Sequence, residues 1–457
     1  MITNTFMVPH PPLAVHEIGK GEENKIIDSI HAYEEMAERI AEIQPDTVIV
    51  ISPHATMYRD WFAVSAGDHA YGDFSRFRAG SVSFEKEYDR ELTGRLSELL
   101  KEEGIPGGCE YEGDPMLDHG TMVPLYYLDQ KYTDYRLVRI GLSGQSLPMH
   151  YRLGMAIQKT ANELERKAVV IASGDLAHCQ KADGPYGYRP EGPEYDEKIM
   201  KTMGNAAFNE LFEYDPAFLD ACMECGHRSF VIMAGCLDRR SVRAEVISHE
   251  ATFGVGYGFV FFEDTGYDPH RNFLDQYEEA VRNRNRSDDP YVKLAYRAVN
   301  AWVKDRERIS TKGVPEELLQ EKAGVFVSIH EFNELRGCIG TILPVYPNAA
   351  EEIIRNGISA CSRDPRFDPI TEEELPYLEI NVDVLKTPER ITDKSLLDVK
   401  KYGVICSLPN GKKGLLLPDL DGVDTIEEQI SIACRKGGID PEDEDLILER
   451  FEVVRHV

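Results

Sequence analysis

Long apolar runs are missing from this chain of 457 residues. No stretch approaches the roughly 20 consecutive apolar residues that a membrane-spanning helix needs, so no membrane span is expected. Positive charge is also scarce: 51 Lys and Arg stand against 80 Asp and Glu, a formal net charge of −29. Nucleic-acid binders displace counterions with basic patches, so no nucleic-acid partner is expected. The nine cysteines are odd in number and scattered. The opening MITNTFMV reads as a strand, not as a basic region followed by a long apolar segment. Together these give the expectation of a cytoplasmic chain with reduced thiols.

Several nucleotide and hydrolase signatures are absent as well. There is no P-loop, and GVGYG (254–258) reads as part of a strand. GLSG (141–144) lacks the G-x-S-x-G spacing of a serine nucleophile elbow. The one tight cysteine pair, Cys222 and Cys225 in CMECGH, has no second pair to complete a zinc ribbon. Both are read as small, half-buried helix residues.

What is present is a regular alternation of apolar runs and amphipathic segments. ITNTFMV, DTVIVIS (46–52), YRLVRIGLS (135–143) and KAVVIASG (167–174) read as strands. Helical spacing runs over 23–43, 87–100 and 151–166, and 245–264 is β-rich with closely spaced glycines. Strands separated by helices of this length predict an α/β sheet covered on both faces, over residues 1–265. Residues 266–287 are charge-dense and lose strand character, and are read as a linker. Residues 288–457 mix helices (291–304, 349–360, 425–436) with strands (324–331, 335–343, 378–385 and the terminal LERFEVVRHV). They predict a second, α+β domain.

Four histidines of the first domain share a setting. His10 follows the first strand in VPHPP, His54 the second in ISPHA, and His178 a third in ASGDLAH. His119, in LDHGTMVPL, is read as lying in an extended segment turned by Gly120. Open α/β sheets bind ligands beyond the carboxyl ends of their strands, so these histidines predict one shared site. The prolines beside His10 would hold a ligand rigidly. Iron(II) favours two imidazoles and one carboxylate, with positions left open. His10 and His54 are the imidazole candidates and Glu250, in SHEATFGVGYG, the carboxylate, with His249 as its rival.

PHPP, SPHA, DHGTMVPL, GDLAH and HEATFGVGYG stand in the order and spacing of the class III extradiol ring-cleavage dioxygenases (LigB-like), which residues 1–263 resemble, as they do the related Memo family. The resemblance implies non-haem iron(II) held by His10, His54 and Glu250, with a catechol-like aromatic substrate. His178 would be the acid/base and His119 would orient substrate or oxygen; neutral imidazole suits proton exchange near neutrality. Two alternatives stand beside it. One is a metal enzyme of another class, activating water or a phenol on zinc(II) or iron. The other is a metal-binding adaptor.

LRGCIGT (335–341), SRDPRF (362–367) and LEINVDVL resemble the AMMECR domain, over about residues 288–457. Gly337 and Gly340 bracket Cys338, which predicts a turn or a close backbone approach. Cys338 beside Arg336 is the candidate reactive thiol, with a small buried cysteine as the alternative. Arg363, Asp364 and Arg366 are read as surface ion pairs more than as an anion-binding rim. Memo-like and AMMECR-like genes recur together with a radical-SAM protein, which implies such a partner; a homo-oligomer is also compatible with the sequence.

Overall fold

A strand buried on both faces needs apolar residues at every position, and two segments supply them. Thr47–Ser52 (TVIVIS) and Ala168–Ser173 (AVVIAS) are buried from end to end. In the computed structural model they are central strands of a six-stranded sheet. The described residues are 1–111, 116–284, 287–420 and 422–457, and they form two compact units, Met1–Tyr277 and Glu278–Val457.

The sheet of the first unit is built from β1 (Ile2–Val8), β2 (Thr47–Ser52), β3 (Arg136–Gly141), β4 (Ala168–Ser173), β5 (Arg240–Glu250) and β6 (Tyr257–Tyr267). Its order is β3-β2-β4-β1-β6-β5, with β1 to β4 parallel and the β5–β6 hairpin antiparallel. Alternate residues of β2 serve opposite faces. Val48 and Val50 join a core with Tyr33, Met36 and Ile40 of helix α1 (Ile27–Ile43). Ile49 and Ile51 point the other way and are equally buried. Register brings the strand ends level: Val8 lies opposite Ser173, and Ile51 opposite Ala172. The loops after β1, β2 and β4 therefore leave the sheet at one edge.

Further helices are α2 (Arg90–Glu102), α3 (His119–Leu128), α4 (Leu147–Glu163), α5 (Glu191–Gly204) and α6 (His227–Gly235). The segment with His119, expected to be extended, is helical. Asp118 caps it by accepting the Thr121 N–H at 3.0 Å. The stretch 266–287, expected as a linker, holds helix α7 (Phe273–Arg284), and the boundary between the units falls within it; residues 285 and 286 lie outside the described residues. Among the described residues no helix is long and apolar enough to cross a membrane.

After the end of α7, the second unit has α8 (Pro290–Asp305), β7 (Gly324–Glu331), β8 (Glu334–Gly340), α9 (Ala349–Ser362) and β9 (Leu378–Leu385). It continues with β10 (Glu389–Ile391), β11 (Gly403–Ser407), β12 (Lys413–Leu416), α10 (Ile426–Gly437), β13 (Ile447–Phe451) and β14 (Val453–His456). Two four-stranded sheets result, β8-β7-β9-β14 and β10-β13-β11-β12. The terminal run, expected as one strand, is two strands in different sheets, broken at Glu452. Helices α8 and α9 pack on one face of the first sheet over Val325, Val327, Ile329 and Val382. Gly337 is where α9 comes closest: a Cβ there would stand 2.3 Å from the Ala360 carbonyl oxygen. This is a close approach within a strand, and no turn is involved.

One buried histidine of the first unit yields a pH test. His150 is fully buried, its ring edge-on to Phe62 at 4.8 Å, its Nδ1 2.9 Å from the Ser146 carbonyl oxygen, and its Nε2 without a partner among the described residues. Burial lowers its pKa to about 3. The unfolded chain therefore takes up a proton near pH 6.5 that the folded chain refuses, so stability is lost as pH falls. Between pH 6 and 4, the wild-type protein should lose about 1.4 kcal/mol per pH unit more than His150→Leu, read by urea unfolding. Parallel pH profiles for the two proteins would contradict the burial of a neutral imidazole.

Candidate metal centre

His10 lies two residues beyond β1 and His54 two beyond β2, while His119 is the first residue of α3. Their rings converge. His10 Nε2 is 3.0 Å from His54 Nε2, the His54 and His119 rings stack at 4.1 Å, and the His10 and His119 centroids are 5.3 Å apart. One nitrogen from each lies within 4.8 Å of the other two. Two nitrogens 3.0 Å apart fit a single ion with bonds of about 2.0–2.1 Å.

The protonation of His10 can be deduced from its neighbours. The Ser173 hydroxyl, at the end of β4, has one proton and donates it to the Gly120 carbonyl at 2.6 Å. Its oxygen is also 2.9 Å from His10 Nδ1, so there it must accept, and His10 carries its proton on Nδ1. The Nε2 lone pair then faces His54, which is the tautomer a metal ligand needs. Pro124 contributes to this. It has no N–H to give the Gly120 carbonyl four residues earlier in α3, and that carbonyl is left for Ser173.

Burial keeps the cluster neutral. It pushes the His10 pKa well below the ordinary value, aided by His54, His119 and His178. It lowers His54, against the pull of Asp118. His119 falls to about 4 through burial and then His54. His178 also falls to about 4, from burial and then His54, and its buried Nε2 has no hydrogen-bond partner among the described residues. Tyr186 stacks on His178 at 5.2 Å, and the Phe77 ring stands 5.6 Å from His119. A set of neutral imidazoles with free lone pairs fits a divalent metal that takes nitrogen ligands.

Glu250 is not in this cluster. Its Oε1 accepts the Ser29 N–H at 2.8 Å and the Ser29 hydroxyl at 2.7 Å. The reason lies in α1, whose N-cap is Ile26 and has no capping side chain. An orphan first-turn N–H needs an acceptor, and the carboxylate at the end of β5 provides it with favourable charge. The rival, His249, is also engaged elsewhere, with its Nε2 2.8 Å from Asp196 Oδ2.

Besides Ser173, Asp175 and Cys225 are non-histidine groups that reach His10. Asp175 Oδ1 accepts the His10 N–H at 2.7 Å, and its Oδ2 is 4.0 Å from His10 Nε2. Burial raises the Asp175 pKa to about 7. Cys225 Sγ lies 3.6 Å from His10 Nε2. Cys222 ends a short helix, Pro216–Cys222, as expected of a helix residue, but Cys225 sits in the turn before α6. That turn is pressed onto the β4 loop at two glycines: a Cβ on Gly174 would fall 2.1 Å from the Gly226 Cα. Asp175 had a sequence signal, its place in GDLAH beside His178; Cys225 had only its CxxC spacing.

In the second unit Arg336 and Cys338 lie on β8. The Arg336 guanidinium does not serve the thiol. Its Nε donates to Glu374 Oε1 at 2.6 Å and its Nη1 to the Asp368 carbonyl at 2.7 Å. Asp364 and Arg366 form an ion pair, with the Asp364 side chain 1 % exposed.

Residues 4–260 match the family model described as the catalytic LigB subunit of aromatic ring-opening dioxygenase, and residues 292–456 match that of AMMECR1. A protein of Clostridium acetobutylicum is 41 % identical, over 99 % of this chain and 98 % of its own length. A protein of Thermotoga maritima is 48 % identical over 36 % of this chain and 97 % of its own length. Among solved structures, an uncharacterized protein from Pyrococcus horikoshii is 34 % identical with a TM-score of 0.34, over 36 % of this chain and 88 % of that one. An uncharacterized protein from Escherichia coli K12 is 14 % identical with a TM-score of 0.38, over 57 % of this chain and 99 % of that one. The chain thus belongs to the LigB family of ring-opening dioxygenase catalytic subunits through its first unit, and carries an AMMECR1 domain as its second.

Proposed function

We propose that the first unit is a metal-dependent oxidoreductase of the ring-opening dioxygenase type, with iron(II) held by His10 and His54 and a catechol-like substrate. The observation that carries this reading is the tautomer of His10, whose Nε2 lone pair is turned by Ser173 toward His54. Iron(II) bound there would lower the pKa of a catechol hydroxyl and pass electrons from the ring to dioxygen. His178, neutral and with its Nε2 unpartnered, takes the hydroxyl proton and returns it later. His119 either completes the donor set or orients the substrate. Phe77 and Tyr186, each against one of these histidines, provide aromatic walls for a flat ring.

A second reading has its own support. The three clustered donors, His10, His54 and His119, are all imidazoles. Three histidines and an open position form a donor set that suits zinc, which would activate water or a phenol without dioxygen. Asp175, 4.0 Å from His10 Nε2, is the nearby carboxylate that could receive a proton in either case.

Metal affinity and turnover test these readings. Titrated anaerobically with iron(II) or zinc(II), the protein should bind one equivalent, and His54→Ala should abolish binding. Ser173→Ala should weaken it about 10–100-fold, the usual effect of removing a partner that orients a ligand. Glu250→Gln should leave affinity within a factor of two; a loss as large as that of His54→Ala would return Glu250 to the ligand set. Oxygen uptake by the iron-loaded protein with a panel of catechols should then be stoichiometric with ring opening and fall at least a hundredfold in His178→Ala. Stoichiometric iron with no uptake for any catechol would reject the dioxygenase reading and leave the zinc one.

A further inference from the structure

The two edges of the six-stranded sheet are finished differently. At one edge β3 is covered by other parts of the first unit. The Ser65 N–H donates to the Arg139 carbonyl and the Asp89 N–H to the Leu137 carbonyl, each at 2.9 Å, and Val64 bridges to Ile140. At the other edge β5 pairs with β6 alone. Among the described residues, no backbone group outside β6 bonds the backbone of residues 242–248. Unpaired N–H and C=O groups in a row are a template for another strand.

Natural sheets blunt such edges with proline, bulges or charge. The strand RSVRAEVISHE has no proline. Its pairing with β6 is bulged at Ile247 and again at Thr265, and between these residues 242–246 pair one for one with 260–264. The flat window that remains is centred on Ala244. One face of it carries Arg243 and Glu245, both exposed; the other carries Val242 and Val246, the latter 49 % exposed. An identical strand laid antiparallel about Ala244 would set Arg243 against Glu245, Glu245 against Arg243, and each Val242 against Val246. The neighbouring charges continue the pattern. Arg243 pairs with Glu263 of β6, and Glu245 with Arg39 of α1 at 2.9 Å. Across the junction the row would run Glu263, Arg243, then Glu245 and Arg39 of the other copy, alternating in sign throughout. A guanidinium has five N–H donors, so Arg243 can hold Glu263 and a second carboxylate together.

We propose that β5 is the contact strand of a symmetric dimer, in which a second copy of this chain pairs antiparallel with it about a two-fold axis at Ala244. The two six-stranded sheets then run on as one. The occupant is a second copy because the window is complementary to itself, as a two-fold contact requires. A strand bearing one sign of charge would repel its own copy, whereas here each charge meets its opposite. The window is short, so the dimer forms with a marked dependence on concentration.

The test is sedimentation velocity of the full chain across the micromolar range, where the wild type should pass from monomer to dimer. Arg243→Glu makes the window wholly acidic and Glu245→Arg makes it wholly basic. Each variant alone should dimerise at least tenfold more weakly, because like charges then face each other. Mixed in equal amounts, the two should associate with one another about as tightly as the wild type does with itself, which also shows both to be folded. Val246→Lys, on the opposite face, should weaken dimerisation as well and serves if a charge swap fails to fold. A wild type that stays monomeric would overturn the proposal, as would variants that dimerise like the wild type or folded swaps that ignore each other. None of these results bears on the histidine cluster, which is tested by metal binding.

Discussion

The proton of one hydroxyl decides what the histidine cluster can do. Because Ser173 gives its hydrogen to Gly120, it has only a lone pair to offer His10, and the imidazole must present its other nitrogen bare. Everything that places the site serves this geometry. Parallel strands end level, so Val8 and Ser173 bring His10 and the hydroxyl together. Asp118 caps the helix that supplies Gly120, while also accepting the Ser52 hydroxyl at 2.5 Å beside His54. Burial, complete at His10 and partial at His119, holds these imidazoles neutral, so a metal would not compete with protons near neutrality.

Much of this was legible in residue order. Uninterrupted apolar runs such as TVIVIS identify parallel strands buried on both faces, and a histidine just past three such runs is placed at the ligand-binding edge of the sheet. The helix that begins at His119 was hidden because Pro124 reads as a breaker. It stands sixth of the helix's ten residues, where the missing donor leaves a carbonyl that a neighbouring strand can use. Glu250 misled for a different reason. Its bond to Ser29 depends on a helix start without a cap 221 residues away, a deficiency that no local pattern announces. Asp175 was overlooked inside a motif already noticed for its histidine. Cys225 was assigned to a helix that in fact ends three residues earlier.

The second unit shows the same limit. The glycines of LRGCIG were readable as sites of close approach, and Gly337 meets the backbone of α9 as that reading requires. The groups that hold Cys338 were not readable: Arg336 is adjacent in sequence, yet it pairs with Glu374, while Asp364 and Arg366, 26 and 28 residues further along, bond the Cys338 N–H and carbonyl. The unit has its own cores, one under α8 and α9 and another around Val404, Leu416 and Ala433.

Pro124 has an evolutionary consequence. By helix propensity alone it is the poorest residue for its position, and alanine would be preferred by about 3 kcal/mol in a regular helix interior. Such a replacement would give the Gly120 carbonyl a second donor and weaken its hold on Ser173. A search for thermally hardier variants would therefore tend to select against the arrangement that keeps His10 ready for a metal. At this position, selection for robustness and selection for chemistry pull in opposite directions.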